Sequence, residues 1–151
     1  MLPEGIIPFI VLARRNTYAA GKTPTHASRP ASHDLQFKED PFLYIDTYLG
    51  GYHFIGQEAV WQKGINIWGM NYYGKMLVAK IPDGFSNFLK TVLMQTPSEA
   101  PYRGPAKYKL GDFDYQCSWK GSLNRFEGEE EISWNGNPIY QLIFHGGEIQ
   151  D

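Results

Sequence analysis

Cysteine is nearly missing from this chain, since Cys117 is the only one among its 151 residues. A single cysteine excludes an internal disulfide and any metal site built from several thiolates. The four histidines show no metal-ligand spacing, and the sequence contains no HExxH, GxSxG, P-loop or GxGxxG motif. We therefore expect no metal and no cofactor, and we interpret Cys117 as a buried, inert thiol.

A surplus of positive charge is also missing. The chain has 14 Lys and Arg against 16 Asp and Glu, with a net charge of −2 and a pI near 6.1. The basic residues are scattered along the sequence and form no cluster. Because proteins bind the phosphate backbone through basic patches, we expect no nucleic-acid binding by this chain alone.

Long hydrophobic runs are absent as well. The stretch 1–15 has about seven apolar residues before Arg14 and Arg15. This is too short to span a bilayer, and it lacks a basic leader and a small-residue cleavage pattern. We interpret it as a buried amphipathic helix that starts near Pro8 and carries the two arginines on its exposed end. We expect a cytoplasmic protein with no membrane partner.

What the sequence does contain is an internal repeat. Residues 54–74 align without a gap with residues 126–146, at an offset of 72, and six of the 21 positions are identical. Ordinary residue usage predicts roughly one or two identities. Other pairs conserve shape, such as Tyr72 with Phe144. Two copies of one unit tend to pack about a pseudo-two-fold axis, so equivalent residues are expected to meet near it.

Periodicity predicts one domain, 1–151, with a first unit at about 8–76 and a second at about 83–149. An apolar stripe at i, i+3, i+4 and i+7 after Asp83 predicts the second helix. The segments 19–40 and 98–112 are interpreted as long loops. Alternation and Gly-containing turns predict strands at 42–49, 53–62, 65–73, 113–119, 123–134 and 139–145. The predicted fold class is α+β: a duplicated helix plus three-stranded antiparallel unit (α-β-β-β twice), with the helices packed on the sheet.

Both copies of the repeat carry a carboxylate on an apolar strand face. Glu130 alternates with apolar residues, and Glu58 has the same setting. A charge on such a face is unfavourable unless it is paired or solvated in a pocket. Two interpretations stay open: the glutamates line a pocket near the pseudo-two-fold, where they bind a cation or act as acid and base, or each is satisfied by an arginine or by backbone and tyrosine donors.

Other polar and aromatic residues are candidates for the same pocket. Tyr44 and Asp46 share a strand face, and Tyr73 and His145 occupy equivalent positions of the repeat. Each of the loop arginines either clamps an anionic group or pairs with one of the glutamates, and pairing is slightly favoured. Trp68 is interpreted more readily as core than as a ligand-stacking residue. The complete candidate set is Glu58, Glu130, Tyr44, Asp46, Trp68, Asn71, Tyr73, Arg29, Arg103 and His145.

Several short stretches are distinctive and span nearly the whole chain. They are NTYA (16–19), SRP with the following DL (28–35), YIDTY (44–48), GG (50–51), FIGQE (54–58), WGMNYYG (68–74), YRGP (102–105) and FHGG (144–147). On these stretches the chain resembles a bacterial and archaeal domain of unknown function, which occurs alone or C-terminal to an Xre-type helix-turn-helix in proteins classed as transcriptional regulators. The resemblance implies no activity, but it implies that relatives occupy the place of an effector-sensing domain.

The sequence favours a small-molecule-binding domain of the effector-sensing type over an enzyme. Its pocket is expected near the pseudo-two-fold, lined by glutamates and aromatic residues. One alternative is a small enzyme that uses Glu58 or Glu130 as general acid or base beside Tyr73 or His145. The other is a protein-interaction module or homodimer that pairs through an exposed face of the sheet. That face is expected to carry His53, Ile55, Ala59 and Trp61.

Overall fold

The computed structural model describes residues 1–24 and 27–151. Thr25 and His26, which fall within the predicted loop 19–40, lie outside the described residues. The described residues form two α-helices, one 3₁₀ turn and eight strands. In chain order these are α1 (Ile6–Arg15), the 3₁₀ turn (Tyr18–Ala20), β1 (His33–Glu39), β2 (Phe42–Gly50), β3 (His53–Gln62), β4 (Ile65–Met76), α2 (Phe85–Met94), β5 (Lys107–Leu110), β6 (Phe113–Ser122), β7 (Arg125–Trp134) and β8 (Asn137–Glu148).

The predicted fold class, α+β with two helix-plus-three-strand units, is wrong. The protein is mainly β, with about 15 % of its residues helical. The eight strands of the described chain form one antiparallel sheet, in the order β1-β2-β3-β4-β8-β7-β6-β5. The two strands that the prediction placed in loops, β1 and β5, are the edges of this sheet. Edge strands are commonly short or charged, so the alternation that marks inner strands is weak in them.

The inner strands follow from alternation and from turn chemistry. In β4 and β8 the even-numbered residues from 68 to 76 and from 140 to 144 are buried, while their odd-numbered neighbours are largely exposed. The turns Lys63-Gly64 and Asn135-Gly136 have φ of 50° and 86°, and of 49° and 78°. Two successive positive φ values define the type I′ turn, whose twist matches that of the flanking strands.

The pairing of β4 with β8 joins the two halves of the chain. Their antiparallel register places Tyr72 opposite Phe144, and these residues are separated by the offset of the repeat. Register shifts also occur at corresponding points of the β3–β4 and β7–β8 hairpins, between Val60 and Trp61 and between Ile132 and Ser133. A pseudo-two-fold axis requires equivalent residues to face each other at the centre, and this register satisfies that requirement.

Both helices cover the same face of the sheet. Their buried residues recur at helical spacing and join the core formed by the inward-facing strand residues. The buried helical residues are Ile6, Phe9, Ile10, Val11, Ala13, Arg14, Phe85, Phe88, Leu89, Val92 and Leu93. Neither helix within residues 1–24 and 27–151 has the length and apolar character needed to cross a lipid bilayer.

The opposite face of the sheet carries exposed apolar side chains. Ile55, Tyr73 and Ile143 lie next to one another on β3, β4 and β8, and all three are exposed. Only part of the apolar face that was predicted for protein interaction is exposed. Ile55 is exposed, but Ala59 is buried and Trp61 is half-buried.

Gly146 lies where β8 approaches β4, so a substitution there tests how closely the two halves pack. A Cβ added there would lie 2.2 Å from the carbonyl oxygen of Gly69 and 2.8 Å from Met70 Cα. Because these are backbone atoms, the strands would have to move apart. We expect Gly146→Ala to lower the free energy of unfolding by about 2 kcal/mol, measured by urea denaturation. Gly51→Ala is the control, because no atom lies within 4 Å of its added Cβ; an equal effect of both changes would contradict the prediction.

Candidate functional site

A cavity of about 330 Å³ lies between the helix-covered face of the sheet and the helices. Its buried end is lined by charged and phenolic side chains, and α2 supplies an apolar wall. The buried polar lining consists of Arg14, Tyr44, Asp46, Glu58, Tyr72 and Arg103. The apolar wall consists of Phe85, Leu89 and Leu93. The exposed residues Tyr52, Ile81 and Ser86 also line the cavity and mark where it opens.

Two carboxylates face each other at the buried end. Asp46 on β2 is the direct register partner of Glu58 on β3, and the two residues are 6 % and 2 % exposed. Side chains directly opposite each other on antiparallel strands have Cβ atoms about 4.5–5.5 Å apart, and like charges in such pairs are destabilising. The sheet therefore holds two acids at close range in a place shielded from water.

Of these two acids, only Glu58 has a guanidinium partner within the described part of the chain. Arg14 reaches from α1, donating Nη2 to Glu58 Oε2 and Nη1 to the carbonyl oxygen of Pro101 at 2.8 Å. Arg14 Nε is buried and has no hydrogen-bond partner among the described residues. The buried Tyr44 hydroxyl also interacts with the Glu58 carboxylate, so Glu58 faces both an arginine and a tyrosine.

Asp46 is stabilised by a neutral donor. The hydroxyl of Tyr72 donates to Asp46 Oδ1 at 2.6 Å, and no described residue donates to Oδ2. Burial, together with the charge of Glu58, raises the pKa of Asp46 to about 7, although the Tyr72 hydroxyl and the guanidiniums of Arg103 and Arg14 act in the opposite direction. Asp46 therefore changes its protonation state in the neutral pH range.

Glu130, by contrast, is fully bonded. Arg103 donates Nε to Oε2 at 3.1 Å and Nη2 to Oε1 at 2.6 Å. Tyr115 and Tyr140 donate their hydroxyls to the same carboxylate at 2.6 and 2.7 Å. Burial opposes ionisation, but Arg103 and the two hydroxyls outweigh it, so the pKa of Glu130 is lowered. This carboxylate is held ionised and has no capacity left for a ligand.

The two halves of the sheet differ at one decisive position. Cys117 is the register partner of Glu130, as Asp46 is that of Glu58. Burial, with the charge of Glu130, raises the pKa of the Cys117 thiol to about 12, so it stays neutral. The second half thus pairs its glutamate with a neutral group, whereas the first half adds a second acid.

The structure brings four of the ten predicted site residues to the cavity, namely Glu58, Tyr44, Asp46 and Arg103. It places the other six elsewhere. Trp68 is fully buried in the core, where its indole N–H donates to the carbonyl oxygen of Leu123 at 3.2 Å. Glu130 is enclosed by its own partners. Asn71, Tyr73 and His145 are exposed on odd-numbered positions of β4 and β8, on the uncovered face, and Arg29 is also exposed.

The expectation that the two glutamates meet near the pseudo-two-fold is corrected by the strand order. β4 and β8 lie between β3 and β7, so three strand spacings, roughly 14 Å, separate the backbones of Glu58 and Glu130. The pair that meets at the centre is Tyr72 and Phe144. Each glutamate instead pairs with its own arginine.

Arg14 is the site residue that the sequence interpretation missed, because it was assigned to an exposed helix end. Its side chain is 2 % exposed. Ile6, Ile10, Ala13 and Arg14 have the spacing i, i+4, i+7 and i+8, which is one face of a helix. That spacing was the available signal. Of the two loop arginines, Arg103 is a glutamate partner and Arg29 is not; Arg29 instead lies beside Gln57 and Asn71 in a separate surface groove.

The chemistry available at the cavity is that of charged and hydrogen-bonding groups. Among the described residues no group of three or more His, Cys, Asp or Glu has the arrangement of a metal site. Asp46 and Glu58 offer two acceptor oxygens, and Tyr18, Tyr44, Tyr48 and Tyr72 offer ring faces and hydroxyls. Groups of these types are chemically suited to hydrogen-bonding a small polar molecule or to proton transfer.

Residues 46–149 match the family described as Domain of unknown function (DUF5680). The chain belongs to this family. The match covers β3 to β8, α2 and the part of β2 that starts at Asp46, so it includes most of the cavity wall but not Arg14. The predicted resemblance to a domain of unknown function is thereby confirmed. No curated protein and no solved structure matches the chain.

Asp46 makes the stability of this family member depend on pH. Its pKa is about 7 when folded and about 3.9 when unfolded, so the folded state binds the proton more tightly. The contribution of Asp46 to stability is therefore fully present below the unfolded pKa and is lost as pH rises through 7, a difference of about 4 kcal/mol since each pKa unit corresponds to about 1.4 kcal/mol. We expect Asp46→Asn to remove this fall and to raise the melting temperature at pH 8. Thermal denaturation of both proteins across this pH range measures the effect. If the melting temperature of Asp46→Asn depends on pH as that of the native protein does, the assignment is contradicted.

Arg103 is predicted to matter for stability through Glu130. Arg103→Met leaves an ionised carboxylate buried without its cation, and we expect a loss of about 3–5 kcal/mol in the free energy of unfolding. The matched control is Lys120→Met, since Lys120 pairs with Glu127 on the surface and should have little effect. The double change Arg103→Met with Glu130→Gln should recover part of the loss, and denaturant titration of all four proteins measures this directly.

Proposed function

We propose that this chain is a small-molecule-binding domain and that its ligand occupies the cavity above β2–β4. The observation that carries the proposal is a cavity of about 330 Å³ whose buried end contains charged groups with unused bonding capacity. Protein interiors are close-packed and rarely contain voids much larger than a water molecule. The volume lies within the range of about 300–1,000 Å³ that small-molecule sites occupy.

The composition of the walls supports the same proposal. Ligand sites are mostly apolar and carry a few polar groups that set the orientation of the ligand. Here α2 contributes the apolar wall, while Asp46, Glu58 and Tyr72 converge at the buried end. The exposed Ser86 and Tyr52 at the other end leave a path by which a ligand enters.

An effector-sensing use is part of the proposal, because the cavity touches every layer of the fold. Arg14 comes from α1, Leu89 from α2, Asp46 from β2 and Tyr140 from β8. A bound molecule would contact both halves and both helices at once, so it would favour one relative arrangement of them. This accords with the resemblance to domains attached to a helix-turn-helix in regulators and with a cytoplasmic location.

Acid–base catalysis is the second candidate, and Asp46 is the residue that favours it. A general acid or base works best when its pKa is near the operating pH, and the pKa of Asp46 is about 7. Glu58 and Glu130, the predicted catalytic residues, are less suited to exchange protons, since each is paired with an arginine. Conversion of a bound compound by the native protein but not by Asp46→Asn, followed by NMR, would select this candidate.

The proposed function is tested by blocking the cavity at its opening. Ser86 lines the cavity from the exposed side of α2, and the next residue, Asn87, is exposed but does not line it. We expect compounds that raise the melting temperature of the native protein to lose about 10-fold or more in affinity for Ser86→Trp and to bind Asn87→Trp normally.

The starting compounds come from a thermal-shift screen of a metabolite library and from native mass spectrometry of the purified protein. If no compound stabilises the protein and none co-purifies, the proposal fails. It also fails if every binder is indifferent to Ser86→Trp, because the ligand would then bind elsewhere.

A further inference from the structure

We infer that the ligand carries a protonated amine on an aromatic or otherwise apolar body, with the amine bound between Asp46 and Glu58. This inference rests on the proposed function and gives the chemical class of the molecule. The inference rests on the balance of charges in the site, on the position of its hydrogen-bond acceptors, on the aromatic rings around them and on a comparison of the two halves of the chain.

The balance of charges is negative at the buried end. Three buried carboxylates, Asp46, Glu58 and Glu130, share two buried guanidiniums, those of Arg14 and Arg103. Each arginine is bonded to one glutamate, so Asp46 is the acid left without a cation. A buried unpaired carboxylate is unfavourable and is neutralised either by a proton or by a cation. A ligand with one positive charge completes the balance.

The unused acceptors lie in the same place. Asp46 and Glu58 are opposite each other in the register of β2 and β3. Asp46 Oδ2 accepts no hydrogen bond from the described residues. Glu58 is bonded to Arg14 and also faces the Tyr44 hydroxyl, and both carboxylates line the cavity, where each oxygen has two acceptor sites. An ammonium group has three donors and no acceptor, so it satisfies two carboxylate oxygens at once. An anion placed there would add a further charge of the same sign.

The surrounding rings suit an organic cation. Tyr18, Tyr44, Tyr48, Tyr52, Phe54 and Tyr72 line the cavity. Ring faces attract cations and stack on flat apolar groups. The site already contains one such contact, since the guanidinium of Arg103 lies 5.7 Å from the centre of the Tyr72 ring. A bare metal ion is less suited, because two carboxylates beside the Arg14 guanidinium do not provide a full set of oxygen ligands.

The internal comparison of the two halves points to the same position. In the second half, the register partner of the buried glutamate is the neutral Cys117, and Tyr140 donates a hydrogen bond to that glutamate. In the first half the corresponding residues are Asp46 and Trp68, and the Trp68 indole donates to Leu123 instead. The first half thus has one more negative charge and one fewer internal donor, which leaves room for a donor brought by a ligand.

Binding of a cation is expected to be linked to pH through Asp46. A cation favours the ionised carboxylate, so binding releases a proton below pH 7 and becomes tighter as pH rises through that value. The charged and titratable groups that interact with Asp46 come from every element around it: Glu58 from β3, Tyr72 from β4, Tyr44 and Tyr48 from β2, Arg14 from α1, Tyr18 from the 3₁₀ turn and Arg103 from the segment after α2. Because the His33 imidazole also lines the cavity, the pH series is repeated with His33→Gln.

The experiment uses three probes of one shape that differ in the head group: 2-phenylethylamine, 2-phenylethanol and phenylacetate. Their binding to the native protein is measured by NMR chemical-shift titration and by calorimetry between pH 5.5 and 8.5. We expect the affinity of the amine to be at least about 10-fold higher than that of the alcohol or the acid. We also expect its affinity to increase with pH and to fall by about 10-fold in Asp46→Asn, with no change in the control Asp114→Asn, whose carboxylate pairs with Lys109 on the surface.

The possible outcomes separate this inference from the proposed function. If the alcohol or the acid binds in the cavity as tightly as the amine, or if Asp46→Asn binds the amine normally, the amine inference is overturned while the cavity stays a binding site. If none of the three probes shifts the resonances of cavity residues, the inference is overturned, and the library screen with Ser86→Trp then decides the proposed function by itself. Because Asp46→Asn removes a repulsion between acids, it is expected to fold, and Asp46→Ser provides a second variant.

Discussion

The guanidinium of Arg14 reaches from α1 to Glu58 in the middle of the sheet, and the geometry of the cavity depends on this contact. Both groups are almost fully buried. Removing two charges from water is favourable only if they meet with good geometry, so the pair fixes where α1 lies relative to β3. The same arginine is also bonded to the carbonyl oxygen of Pro101. One side chain thereby ties together the first helix, the sheet and the segment that follows α2, and the cavity lies beside it.

Each half of the sheet contains a buried glutamate, and the two halves stabilise its charge differently. Each has an inward-facing glutamate and an arginine that comes from outside the sheet. Around Glu130, two tyrosine hydroxyls supply the remaining hydrogen bonds to the carboxylate. The residue opposite it on the next strand is Cys117, whose thiol stays neutral. Such a satisfied network rigidifies its part of the core. Around Glu58 the network is incomplete, because an extra acid lies across the strand and one arginine N–H has no partner among the described residues. The ligand site that we propose lies in the half whose network is incomplete.

Most of the inner sheet and α2 are predictable from the sequence, because alternation and turn residues act locally. The inward direction of Glu58 and Glu130 follows from that alternation alone. β1 and β5 are not predictable in this way, since an edge strand is stabilised by its one neighbour and its sequence lies among loop-forming residues. The joining of eight strands into one sheet is a long-range result of β4 pairing with β8, and no local pattern encodes it.

The candidate site was the harder part to predict, for a physical reason. Strand parity tells which face a residue occupies but not which strands are neighbours, so two equivalent glutamates were expected to meet although two strands lie between them. The cavity instead depends on Asp46, which has no equivalent acid in the second half. This carboxylate takes up a proton near neutral pH, because it is buried beside Glu58 and has no cation of its own among the described residues. In the proposed complex a bound cation would replace that proton, so ligand affinity and conformational stability would both depend on the charge of Asp46.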